Sequence, residues 1–235
     1  MIKLINNELK KMGIIKLIFP FLIFLIVIIL IFEFTDDMKD TIYNLIPFVG
    51  IMISIIFSGI ISNEIENGTI RFYLTKPISR NKIYQSKFIT ILIYTIALLI
   101  FILFCYFVLC KDVDKKYLIK YVKYSVPLLL ITALIMMMTT IFRNTSVIVG
   151  IAIFLLAFSL VITQILLDIK FKYVEFTFLP YLDFTLFNDI ETIKSLNEYH
   201  KINLSIEKGI YINVIFSFIF YKIGNYIFIK KDIKN

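Results

Sequence analysis

The chain has 235 residues, 60% of them hydrophobic, and a mean hydropathy of +0.89, against the roughly 45–50% apolar content of a soluble domain. A bilayer is its expected environment, and stretches such as residues 17–32, which show no apolar–polar alternation, point to helices crossing it and against a transmembrane barrel. The formal net charge of +8 is scattered between apolar runs, so it forms no basic face of the kind that binds nucleic acid.

The first element expected is a short helix over residues 1–12. Ile2, Ile5, Leu9 and Met12 recur at helical spacing while Lys3, Asn6, Asn7, Lys10 and Lys11 fall elsewhere, the pattern of a helix lying in the membrane interface or, on the plainer reading, of a solvated tail. Spans are expected at 14–34, 42–62, 88–110, 125–142, 145–167 and 209–229, an all-α, polytopic fold read as one transmembrane domain over 1–235. The first apolar run leads into the polar stretch 33–37 without a small-residue cleavage site, so it reads as a retained anchor and not as a signal peptide. Between spans three and four, Val113, Tyr117, Tyr121 and Tyr124 line up opposite Lys116, Lys120 and Lys123. That spacing suggests a second interfacial helix or a basic linker. Residues 168–208 form the longest polar interruption. They carry an aromatic cluster from 173 to 187 and Pro180 as a helix breaker, and they read as a cap over one end of the bundle or as a packed connector. Basic residues favour the cytoplasmic side. Placing Arg71, Arg80 and Arg143 there puts both termini in the cytoplasm.

Several chemistries lack raw material. No G-x-x-x-x-G-K-[ST] phosphate loop occurs, so nucleotide hydrolysis by a P-loop is not expected in this chain. His200 is the one histidine, and Cys105 and Cys110 lie five residues apart on different helix faces, which leaves no triad, dyad, disulfide framework or metal set. The expected span centres hold no ionisable residue; Lys16 and Lys222 lie toward span ends, where a long side chain reaches water. An ion-coupled carrier would need a midplane coupling site, so the energy for any transport must come from a partner. Neutral polar residues within the spans, Ser58, Thr132, Thr139, Thr140, Gln164 and Asn213, are candidates for a pathway suited to an amphipathic or hydrophobic molecule.

The loop 63–87 between spans two and three is the most distinctive segment. Asn67-Gly68 signals a helix stop, residues 70–74 one amphipathic turn, and Pro77 with Ser79 a restart. Glu64 and Glu66 precede this turn and Arg71, Lys76, Arg80 and Lys82 follow it, around apolar Ile70, Phe72 and Leu74. Such a surface suits docking into a partner's groove. The run E-I-E-N-G-T-I-R-F-Y-L-T-K-P-I-S-R resembles the cytoplasmic loop of ABC-2 type transporter permeases. The interfacial helix, the six spans, the long segment before the last span and the closing Phe228-Ile-Lys-Lys-Asp232 fit the same family. The resemblance implies a bacterial plasma-membrane permease subunit of an exporter, dimerising with itself or with a second permease, in contact with membrane lipids. It implies that the loop is a coupling helix on a separate cytosolic ATPase, bound in two copies, with Glu64, Glu66, Gly68, Thr69, Arg71, Pro77 and Arg80 as the matching positions. ATP and Mg would then belong to the ATPase, with no cofactor in this chain. The size resembles that of permeases exporting antimicrobial peptides, so a membrane-active peptide is the first cargo expected. The rival reading is a non-transporting immunity or scaffold protein that binds a toxin or partner through residues 168–208.

Overall fold

The computed structural model describes residues 1–34, 43–70, 78–109, 115–171, 173–182 and 190–231. Among them the helices are α1 (Ile2–Lys11), α2 (Gly13–Phe34), α3 (Ile46–Phe57), α4 (Ser62–Glu66), α5 (Arg80–Leu109), α6 (Lys115–Ile141), α7 (Thr145–Asp168), α8 (Ile190–His200) and α9 (Ile206–Lys230). Single 3₁₀ turns lie at Val174–Phe176 and Pro180–Leu182. No strand occurs among the described residues.

Six stretches are long and apolar enough to cross a membrane: Gly13–Glu33, Ile46–Glu66, Arg80–Leu109, Tyr117–Ile141, Thr145–Asp168 and Ile206–Lys230. Each matches one expected span. At about 1.5 Å per residue the shortest reaches roughly 30 Å, the thickness of a bilayer's hydrocarbon core. With no water in such a core, every polar group must find a partner inside the protein. Many serine and threonine hydroxyls of the spans do so on their own helices: Ser54 donates to Gly50 O, Thr95 to Ile91 O and Thr163 to Ser159 O, all at 2.7–2.8 Å. Helix starts are capped locally, with the Asn144 side chain accepting from Ser146 N–H at the head of α7 and Ser205 accepting from Lys208 N–H at the head of α9.

Three boundaries differ from expectation. First, α5 begins at Arg80, eight residues before the expected span, because residues 80–87 continue the same helical face: Ile83, Tyr84, Lys87, Ile91 and Tyr94 are all buried. Second, residues 115–124 are no separate interfacial helix but the first turns of α6. Their tyrosines face protein: the Tyr121 hydroxyl donates to Leu99 O at 2.9 Å, and Tyr117 stacks on Tyr106 with ring centroids 4.7 Å apart. Third, regular α-helix in the second span stops at Phe57 and resumes at Ser62.

The most extensive packing seam joins α6 to α9, and α3 packs on α5, α6 and α7. The core runs from Phe24 and Ile28 through Ile53, Phe57 and Ile91 to Ile135 and Met136. At one end of α7 the segment 173–182 closes over the bundle, with Val174, Pro180, Tyr181 and Leu182 buried. Asn213 Nδ2 of α9 donates to Tyr181 O at 3.1 Å and fixes that segment to the last span.

Candidate functional site: a charged knot beneath the loop

At the other end of α7, the beginnings of α2 and α5 and the end of α3 converge with α1 and α4. Lys87 lies here, fully buried in α5. Its ammonium donates to Glu8 Oε2 at 2.8 Å and to the Ile60 carbonyl at 2.9 Å, and it is ion-paired with Glu64 Oε2 at 2.8 Å. Lys11 closes the knot from α1, 2.8 Å from Glu64 Oε1 and 3.5 Å from Glu8 Oε1. Desolvating an ammonium costs several kcal/mol unless geometry and hydrogen bonding are good. Here the break between α3 and α4 turns a carbonyl toward the lysine, and two helices each bring a carboxylate. A cavity of about 360 Å³ adjoins the knot, lined in part by Glu8, Lys11, Lys16, Ser58, Asn63 and Glu64.

The loop residues divide between this knot and the neighbouring chain end. Glu64 is a member of the knot, whereas Glu66, two residues further on, is exposed. Gly68 takes a left-handed backbone, φ +66°, two residues past the end of α4, where glycine avoids the strain of a Cβ. Thr69 Oγ1 donates to Glu64 O at 3.4 Å. Ile70 is buried. The rest of the short helix expected at 70–74, together with Arg71 and Pro77, lies outside the described residues. Arg80 donates to Ile229 O at 2.8 Å and Lys231 O at 3.0 Å, capping the last carbonyls of α9. Beside it Asn225 donates to Asn81 Oδ1 at 3.0 Å, and Lys231 Nζ reaches Thr140 O. Burial, and then the neighbouring Arg143 charge, lower the pKa of Lys231.

Most of the neutral pathway candidates make local bonds. Thr132, Thr139 and Thr140 donate to Leu129 O, Met136 O and Met137 O of their own helix. Ser58 bonds to Ile55 O and lines the cavity by the knot. Gln164 is exposed on α7, and Asn213 holds Tyr181.

The sequence reading made Lys87 only the end of the loop 63–87 and gave neither it nor Glu8 a role. Two signals were present. Glu8 falls among the apolar positions of α1, between Ile5 and Leu9, and Lys87 falls in step with Ile83, Tyr84 and Ile91 on the buried face of α5.

These features define an all-helical protein with six membrane-length apolar helices and a buried ionic knot at one end. Residues 31–234 match the family described as "Protein of unknown function (DUF2705)", and the chain belongs to that family. It is also similar to a protein of Bacillus subtilis (strain 168) described as "Uncharacterized protein YhcI", with 28% identity over 228 residues covering 86% of this chain and 68% of that protein.

Proposed function

We propose that the chain is the membrane permease subunit of an ATP-driven exporter of the ABC-2 kind, with its hydrolytic power in a separate cytosolic ATPase. The observation that carries this reading is the anchoring of the motif-bearing loop on both sides. Before the loop, Glu64 is ion-paired to Lys87 of α5 and Lys11 of α1; after it, Arg80 caps α9. A force applied to residues 66–79 is thereby passed to α1, α5 and α9 together. Such a mechanical link is what an external motor requires, because a switch needs a two-state element that both partners bias.

On this reading α1 is the interfacial helix, residues 70–74 are the coupling helix, the knot end faces the cytoplasm, and a second permease copy completes the pathway. The cargo is a hydrophobic or amphipathic molecule, first of all a membrane-active peptide, which matches spans whose polar groups are mostly neutral hydroxyls bonded to their own backbone.

The test is detergent co-purification of the chain with the ATPase encoded beside it, followed by ATP hydrolysis with the native loop and with Arg71→Ala and Glu64→Gln. A stable complex whose hydrolysis falls on loop substitution is the expected result. Failure to form a complex with any such ATPase would remove the exporter reading and leave the scaffold reading, with residues 168–208 as its binding surface.

A further inference from the structure

A second cavity, of about 910 Å³, opens at the far end of α7, some 35 Å from the knot by helix length. Its walls come from the end of α7, the turn at Val174–Phe176 and the end of α8, and Asp168, Lys170, Phe171, Tyr173, Tyr199 and Lys201 line it. Lys170 and Lys201 are the two non-glycine residues with left-handed backbone among the described residues, φ 56° and 54°. Each follows a helix end closed by backbone bonds, Phe171 N–H to Leu166 O at 2.9 Å and Ile202 N–H to Asn197 O at 3.2 Å. Glycine is the favoured residue at such positions. A lysine could serve the helix dipole from the preceding turn without strain, so helix ending alone does not call for lysine at both places. Strained positions of this kind concentrate where ligands are held.

The charges have a definite balance. Glu175 is engaged, accepting from Asn203 N–H and Lys208 Nζ, each at 3.3 Å. Lys170 and Lys201 are exposed and make no ion pair among the described residues. Within the lining the two lysines balance Asp168 and Glu175, and because Lys208 from outside it is paired with Glu175, the group taken with Lys208 carries one positive charge in excess. An exposed apolar stripe leads to this place along α7: Phe154, Phe158, Val161, Ile165 and Ile169 follow at steps of four, three, four and four, which is one helix face. Its last member lies between Asp168 and Lys170.

We propose that this cavity holds the phosphate headgroup of a membrane phospholipid, with Lys170 and Lys201 on the phosphate and the acyl chains laid along the α7 stripe. Aromatic rings at the rim suit the glycerol and upper chain region, where amphipathic rings favour the membrane–water boundary. At about 910 Å³ the cavity is large enough to admit a headgroup with its glycerol. This inference is independent of the export reading, since it involves neither the loop nor an ATPase.

The test titrates the full chain in detergent with short-chain phosphatidylglycerol, reading occupancy by native mass spectrometry, for the wild type and for Lys170→Gly/Lys201→Gly. Glycine fits the left-handed backbone, so the double variant is expected to melt no lower than wild type while binding the lipid at least about tenfold more weakly, the loss of roughly one charge-assisted contact or more. Should it melt lower, the Lys170→Asn/Lys201→Asn pair, which also tolerates this backbone, is read in its place. Diacylglycerol, which lacks phosphate, is expected to bind neither form with comparable strength. Competition by glycerol phosphate at the same concentration as the lipid would keep the phosphate site and assign it to a water-soluble ester. Equal phosphatidylglycerol binding by wild type and variant, diacylglycerol binding as tight as phosphatidylglycerol, or a dimer that covers the stripe and excludes lipid would overturn the proposal.

Discussion

Lys87 shows how a single buried charge organises its surroundings. Its three oxygen partners come from α1, α4 and the turn before α4, so truncating the lysine leaves two carboxylates facing each other with less water to solvate them. Lys87→Ala is expected to destabilise the fold by about 3–5 kcal/mol, measured by thermal or denaturant unfolding in detergent. Combining it with Glu8→Leu and Glu64→Leu should recover a large part of the loss, since apolar replacement of a whole ion group is often neutral. No recovery would mean that the knot holds the fold through more than pairwise charge. Tyr181 offers a pH-dependent test in the cap. Burial, with a smaller contribution from the Glu175 charge, pushes its phenol above the usual value of 10.0. Above about pH 10 the unfolded chain therefore releases a proton that the folded chain retains, and stability falls as pH rises. Tyr181→Phe removes that share of the alkaline loss, at the cost of the hydrogen bond to Glu175 O; an unaltered slope of stability against pH would contradict the assignment.

The elements show which physical signals a sequence carries openly. Spans were legible because about twenty apolar residues in a row have few other uses. The tyrosines of 117–124 were misleading because amphipathic spacing says that one face differs from the other without saying what covers it, and here Tyr43 and Tyr106 do. The register of Lys87 marks its burial, but its pairing was unreadable for a related reason: Glu8 and Glu64 lie 79 and 23 residues away, and only tertiary packing joins them. Of the loop motif, Glu64, Gly68 and Arg80 each have a structural partner or backbone task that spacing does not disclose. At the crossing of α5, α6 and α9, a Cβ on Gly224 would strike the Tyr84 hydroxyl and lie 2.9 Å from Met137 Cα, whereas one on Gly150 of α7 would meet nothing within 4 Å. The same substitution should therefore have opposite signs at the two sites. Gly224→Ala is expected to cost about 1–3 kcal/mol through overpacking, and Gly150→Ala to stabilise by up to about 1 kcal/mol through helix propensity. Melting temperatures of the two variants compare them directly.

The molecule as a whole has two chemically distinct ends, held apart by the length of α7. One gathers α1, the knot and the capped end of α9; the other carries the 3₁₀ turns, α8 and the second cavity. This polarity predicts sidedness. In sealed vesicles, with Cys105 and Cys110 replaced by serine, Asn81→Cys and Ser146→Cys should react with a membrane-impermeant maleimide from one face, and Lys194→Cys and Tyr199→Cys from the other. Labelling of all four from one face would contradict the six-span arrangement.

The pairing of Glu8 with Lys87 also imposes an order on synthesis. The carboxylate leaves the ribosome 79 residues ahead of its ammonium, a wait of roughly 4–16 s at about 5–20 residues per second. During that interval α1 has no buried partner to receive Glu8, so the first helix made takes its final seat only after the third span has been delivered. The locking of α1 is thus deferred until the third of the six spans is in place.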